Sequence, residues 1–332
     1  MRRLAFLLVV AGCLAVAGGF LAYAILREDP LAADAELGPE ARATLAQVGA
    51  ADPYVVYQNV RRNDGYARVA VSRAATPASR LITGRVCERV YFAARRALCL
   101  MPVAGLGTQY RAMILGPDLE LREAVKLPGL ISRARISPDG RYGATTGFVT
   151  GHSYRDAGFS TYTTLIDMAA GKEIADLESF TVTRDGKTIS APDLNFWGVT
   201  FARDSDRFYA TVATGGKTYL IQGSVEGRTA RVLHENVECP SLSPDGTRIA
   251  YKKRLGDAWR LTVLDLATMR ETPLAETASV DDQAEWLDSE TVLYGLAGDV
   301  RRVPADGSGA PSVFLDDALS PAVARDGSRP SA

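Results

Sequence analysis

Acidic residues recur at one kind of place along this chain. Glu88, Asp193, Glu238, the pair Asp281 and Asp282, and the pair Asp316 and Asp317 each stand just ahead of a short apolar run. Carboxylates gathered from separate segments could hold Ca²⁺ through oxygen ligands, or focus a field on a cationic partner. They could equally be loop acids that face water and never meet, as most charged loop residues do. A paired-carboxylate hydrolase would need two of them at a defined separation, which a sequence does not display. The matching segment that holds Arg133 and Arg135 breaks the series.

Other chemistries have less support. The two histidines, His152 and His234, belong to no His-x-x-x-His or Cys-x-x-Cys pattern, so imidazole- or thiolate-based metal binding is not indicated. No Gly-x-Ser-x-Gly elbow occurs; the Gly-rich stretch at 104–107 lacks the Gly-Lys-Ser/Thr ending of a phosphate loop, and the one at 214–216, which runs into Lys217-Thr218, has Thr211 where that loop needs its first glycine. The stretch from Thr150 to Gly158 gathers His152, Tyr154, Arg155 and Asp156, and is expected to project from the body as a candidate binding loop.

The elements that would position these groups announce themselves by repetition. Ser-Pro-Asp-Gly stands at 137–140 and again at 243–246, and Phe201-Ala-Arg-Asp-Ser is a degenerate copy. Each reads as strand, tight turn, strand, because Pro presets φ at the second turn position and Gly accepts the reversal behind it. Residues 239–276 hold four such strands, and the phrase returns at a period of roughly 42 residues through Phe201, Ser243 and Trp286. Four short antiparallel strands per repeat make a propeller blade. Upstream the spacing is longer, with insertions expected at 150–158 and 183–192. Residues 54–83 supply only three strands. The segment from Val313 to Pro321 is expected to supply the fourth, joining the termini so that no edge is left open. That gives six blades; seven would require reading an insertion as strands.

With 332 residues, 47% of them hydrophobic and 23% charged, the chain can bury a large core. A net charge of -1 and scattered Arg pairs disfavour nucleic acid as a partner. Met1-Arg-Arg3 precedes an unbroken apolar run from Leu4 to Leu26, long enough for a bilayer, with the Arg pair on the cytoplasmic side. Cleavage after Ala15-Val-Ala17 would instead give a secreted protein, and lipidation at Cys13 a lipid-anchored one. All three place the rest outside the cytoplasm, where disulfides persist. A hairpin centred on residue 93 would set Cys87 opposite Cys99, and a bridge between them is expected, two buried thiols being the alternative. Cys239 reads as a small buried side chain.

The Ser-Pro-Asp-Gly-x-x-Ile-Ala-Tyr pattern resembles the PD40-type repeat of TolB-like six-bladed propellers. The segments Asn195-Phe-Trp-Gly-Val-Thr-Phe-Ala202, Tyr209-Ala-Thr-Val-Ala-Thr-Gly-Gly216, Asn236 to Gly246 and Val280-Asp-Asp-Gln-Ala-Glu-Trp-Leu287 resemble exported actinobacterial TolB-like translocation proteins. Residues 27–53 are too few for the α/β domain that TolB carries ahead of its propeller, so the resemblance covers the propeller and leaves a Tol-Pal role aside. It implies an all-β fold and a membrane-associated, non-catalytic protein. The expected division is a signal anchor or signal peptide (1–29), a linker (30–53), the six-bladed propeller (54–325) and a disordered tail (326–332). The expected function is binding of an envelope protein, peptide or glycan without a cofactor. The alternative is a lyase or hydrolase using the recurring acids or a bound Ca²⁺.

Overall fold

The computed structural model describes residues 2–26, 53–62, 65–103, 108–156 and 158–325. The expected linker, apart from Pro53, and the expected tail lie outside the described residues. Arg2–Leu26 form one helix, and the side chains described on it are those of Arg3 and of residues 9–20. Among the described residues no helix is long and apolar enough to cross a membrane.

The remainder is six sheets. Blade 1 joins Ala318–Ala324 to Tyr54–Asn59, Arg68–Arg73 and Thr76–Val86. Blade 2 contains Arg89–Ala93, Arg96–Val103, Gln109–Leu115 and Leu121–Leu127, and blade 3 contains Leu130–Ile136, Tyr142–Thr150, Ser160–Asp167 and Lys172–Asp176. Blade 4 has Asn195–Phe201, Arg207–Thr214, Lys217–Ser224 and Thr229–Glu235. Blade 5 has Glu238–Leu242, Arg248–Leu255, Ala258–Asp265 and Glu271–Pro273, and blade 6 has Glu285–Trp286, Thr291–Leu296, Asp299–Pro304 and Ser312–Leu315. The first strand of each set is innermost, and these six strands neighbour one another in a closed ring.

The ring closes one strand later than expected. Val313 to Leu315 belong to the outer strand of blade 6, and Ala318–Ala324 make the closure, with Val323 opposite Val55 and Leu319 opposite Gln58. Asp316 and Asp317 fall between the two strands, where a turn must be polar. The insertion at 183–192 does form strands, though not a seventh blade: Thr181–Arg184 runs parallel to Thr229–Glu235 and carries Lys187–Thr188 on its far side, extending blade 4 to six strands.

The repeated turn has one mechanism. In blade 3 the Asp139 carboxylate accepts Ser137 Oγ at 2.7 Å and Arg141 N at 2.9 Å, and Gly140 takes φ +74°. In blade 5 Asp245 accepts Ser243 Oγ and Thr247 N, with Gly246 at φ +76°. Blade 4 lacks the glycine, and Ser205 takes the left-handed position at φ +62° while Asp204 accepts Arg207 N at 2.8 Å. A side-chain carboxylate thus satisfies the amides that the reversal frees.

Between blades the facing strands bury continuous apolar clusters, among them Val90, Phe92, Cys99 and Met113 with Val56, Val69 and Ala322. Cys87 and Cys99 form the expected disulfide, with Cα atoms 5.4 Å apart. The register differs from expectation, since Cys99 lies opposite Val90 and the hairpin turns at Ala94 and Arg95, both at positive φ. The bridge therefore ties blade 2's second strand to the chain entering its first.

Candidate functional site: one mouth of the central channel

All six inner strands run the same way through the ring, so the residues ahead of them gather at one mouth. The acids expected there are present, and all but Glu88 engage separate partners. Glu88 is exposed. Asp193 accepts Thr214 Oγ1 and Gly215 N, both at 2.7 Å, which holds its carboxyl below the usual range. Glu238 is fully buried and receives Arg254 Nε at 3.0 Å. Asp281 receives Lys252 Nζ at 2.6 Å, and Asp282 receives Gly295 N at 2.8 Å. Asp316 pairs with Arg80 at 2.6 Å, and both it and Asp317 pair with Arg61. Among the described residues no group of three or more His, Cys, Asp or Glu is placed to hold a metal ion.

The described part of the 150–158 segment does not project. It folds back over the mouth, and Tyr154 is buried among Phe148, Phe159, Trp197, Cys239 and Trp259. Its hydroxyl shares a 2.9 Å hydrogen bond with Ser132 Oγ, and its ring centroid lies 5.4 Å from that of Trp197. Arg254 donates to Tyr154 O, and Arg155 reaches Ser279 Oγ while its guanidinium lies 5.1 Å from the Trp259 ring. A connection that belongs to blade 3 is thus seated on blades 4 and 5. Asp156 ties the loop to itself by accepting the amides of His152 and Ser153, and His152 stays exposed. Of the four loop residues, then, Tyr154 is an inward plug, Arg155 a rim contact and Asp156 a turn-former.

Beside the plug lies the pair of arginines that stands where other blades carry acids. Arg133 and Arg135 stand two apart on the inner strand of blade 3, so both side chains enter the channel. Arg135 crosses it, donating to Ala284 O at 2.6 Å and lying 3.3 Å from the buried carboxylate of Glu285, with its guanidinium 4.6 Å from the Tyr91 ring. Gln283 crosses in the other sense, donating to Pro240 O at 2.8 Å and Val199 O at 3.2 Å. Blades 3 to 6 are wired together through the hub, so the channel is a polar, largely filled core.

Inner strands bulge at this level, with register shifts beside Arg133, Gly198 and Cys239. Gly198 sits at φ +68°, and a Cβ there would come within 2.6 Å of Cys239 Cα, so glycine permits blades 4 and 5 to close on each other.

Beside this hub lies a cleft of about 310 Å³, counted together with the solvent space it opens onto. It is lined by Arg89, Tyr91, Arg133, Arg135, Asp282 and Gln283, with Val90, Ala134 and Pro321 as its apolar edges. Arg89, Tyr91, Gln283 and Glu285 were not singled out from the sequence. The available signal was arginine at alternating positions in a strand that otherwise buries its residues.

A closed ring of six four-stranded blades, one of them extended, defines the chain as a TolB-like six-bladed β-propeller in fold. TolB from Acinetobacter baumannii matches it with a TM-score of 0.57 at 14% identity, over 86% of this chain and 72% of that one. A chain of a nidogen–laminin complex matches with a TM-score of 0.53 at 10% identity, over 82% and 99%. A puromycin-hydrolyzing peptidase of Mycobacterium tuberculosis matches with a TM-score of 0.51 at 16% identity, over 81% of this chain and 44% of the peptidase. At these identities the likeness is one of fold. No protein-family model and no curated protein matches the sequence.

Proposed function

We propose that this chain is a membrane-anchored, extracytoplasmic β-propeller that binds an envelope protein, peptide or glycan at the plugged mouth and catalyses no reaction there. The observation that carries this reading is the state of the mouth: apart from the exposed Glu88, its carboxylates are committed to arginine, lysine, hydroxyl or amide partners, and its floor is braced across four blades. Such a surface is rigid, and rigid surfaces lose little entropy on binding. A carboxylate-based lyase or hydrolase would need two of these acids free and facing one pocket. A propeller of similar fold found in a nidogen–laminin complex supports a protein-binding role.

The anchor is supported by the sequence, which is apolar from Leu4 to Leu26 behind two arginines. The disulfide supports an oxidising compartment. Site-specific crosslinking tests both parts. A photoreactive group at Arg155, on the mouth, should capture one discrete envelope species, and the same group at Asp185, on the outer hairpin of blade 4, should not. Equal capture from both positions, or none from either, would overturn the reading. Alkaline extraction should leave the full chain with the membranes and release a variant lacking residues 2–26.

A further inference from the structure

Arg89 and Arg133 spend hydrogen bonds on the same atom. Arg89 Nε and Arg133 Nη1 both donate to Ser132 O at 3.2 Å, which sets two guanidinium groups side by side at the floor of the cleft. Arg133 is 8% exposed, and its Nε is buried without a partner. Burial, and then repulsion from Arg133, make Arg89 less basic than usual, while Asp282 and Glu88 act on it only through space. Like charges held together in this way call for an anion between them.

Of the three lining arginines, Arg135 lies 3.3 Å from Glu285, a carboxylate that Arg325 also approaches at 3.9 Å, while Asp282 accepts from Gly295 N. Asp281, 3.9 Å from Arg133, is already taken by Lys252. Among the described residues no carboxylate pairs directly with Arg89, on which Asp282 and Glu88 act only through space, and a single carboxylate suits that place. A second group points the same way. The Gln283 amide is fixed by its two backbone acceptors, and its Oε1 is left buried and unpaired, a vacant acceptor on the same cleft. The occupant should therefore carry a carboxylate and, nearby, an N–H. A sugar acid would want an open aromatic face, and the one aromatic ring on the cleft, Tyr91, has Arg135 over it.

We infer that the Arg89–Arg133 cleft is a carboxylate-binding subsite that takes the acidic side chain of a peptide, with Gln283 accepting a backbone N–H beside it. This deepens the binding reading above by naming the partner's chemistry, and it rests on that reading only for the choice of mouth.

The test titrates the full chain in detergent micelles at low salt with N-acetyl-L-glutamate methylamide, its glutamine analogue, glucuronate and inorganic phosphate. The glutamate probe should saturate with a Kd on the order of millimolar. The glutamine analogue should fail, and glucuronate and phosphate should bind at least about tenfold more weakly. Arg89→Gln should weaken glutamate binding by about tenfold or more, since it removes a charge-assisted contact, and should leave the unfolding temperature unchanged or raised because it relieves a repulsion. Asp282→Asn should tighten binding. No saturation by the glutamate probe, equal binding by Arg89→Gln, or a lowered unfolding temperature in that variant would overturn the assignment. Glucuronate or phosphate binding as tightly as glutamate would replace the peptide with another anion. Small probes report on the cleft whether or not a protein partner is captured at Arg155, so the two readings can fail separately.

Discussion

Lys252 Nζ donates to Asp281 Oδ1 at 2.6 Å from a position with no solvent exposure, between the rings of Tyr154 at 4.9 Å and Trp259 at 4.4 Å. A cation so placed is held by one carboxylate and two quadrupoles. The plug, the segment leading into the inner strand of blade 6 and the body of blade 5 meet at this amine. It links the loop's position to the charge of one aspartate.

Removing that aspartate should cost more than removing the lysine. Asp281→Asn leaves a buried, unpaired ammonium, whereas Lys252→Met leaves Asp281 near Arg133 and partly in water. The loss for Asp281→Asn should be about 2–3 kcal/mol, below the full figure for a buried pair because the carboxylate is partly solvated. The double variant Lys252→Met with Asp281→Asn should recover most of it. Denaturant midpoints of the three variants check the order; a larger loss for Lys252→Met would refute it. The pH dependence has a definite sign. Burial would raise the Asp281 carboxyl, but the charge and hydrogen bond of Lys252 more than offset this and hold it below its ordinary value. Its stabilisation is present above about pH 3.9, the unfolded value, and is lost as pH falls through the lower folded value.

Glu178 should act with the opposite sign. Burial pushes its carboxyl up to about 8, in spite of Thr163 N lying 3.2 Å from both oxygens, and Asp176 and Glu173 add to the rise. The folded chain therefore holds a proton that the unfolded chain releases near pH 4.3. The associated stability is complete below the unfolded value and is lost as pH rises through the folded one. Glu178→Gln keeps the neutral form at every pH, so it should be more stable than the native chain at about pH 9 and closely similar at about pH 4. Urea midpoints across that range check it, and parallel curves would sink the assignment.

The disulfide closes a loop of sequence separation 12 and should stabilise mainly by restricting the unfolded chain. Cys87→Ser with Cys99→Ser should lose about 2–3 kcal/mol, near the chain-entropy figure for a loop of that size. Reductant should lower the native chain to the level of the double variant and leave the variant unmoved. A native chain indifferent to reductant would show that the bridge adds nothing.

How far the fold could be read ahead follows from what repeats. The Asp139, Asp204 and Asp245 turns repeat because each must satisfy the same freed amides, and a repeated constraint leaves a repeated phrase. Six blades and circular closure were legible for that reason, while the closing strand was misplaced because Val313 to Leu315 and Ala318–Ala324 are both short apolar runs flanking two aspartates. The site was less legible. Glu238 and Asp281 could be placed at the mouth from register, but whether an acid meets an acid or a base depends on which way side chains of other strands turn, such as Arg254 and Lys252 on the second strand of blade 5. Tyr154 has the polar neighbours His152, Arg155 and Asp156, which suggest an exposed loop; of the aromatic residues that bury it, Phe148 and Phe159 are near in sequence, but Trp197 and Trp259 lie more than forty positions downstream.

Tyr154 also controls access to a thiol. Cys239 has no solvent exposure and packs in the same cluster under the plug, on a bulge at φ +49°. Tyr154→Ala should cost about 3 kcal/mol or more, the usual loss when a large buried ring is truncated. It should also uncover the thiol, since the Ser132 bond and the ring contacts that close the mouth go together. In a Cys13→Ser background Cys239 is the one free cysteine, so thiol labelling of the folded chain reads its exposure directly. The native loop should keep labelling slow, at a rate set by opening of the structure, and Tyr154→Ala should raise it severalfold at denaturant concentrations well below the unfolding transition. Tyr154→Phe, which loses only the hydroxyl bond, should label nearly as slowly as the native chain. If both variants label at the native rate, the plug does not seal this mouth and Cys239 is shielded by the blades alone.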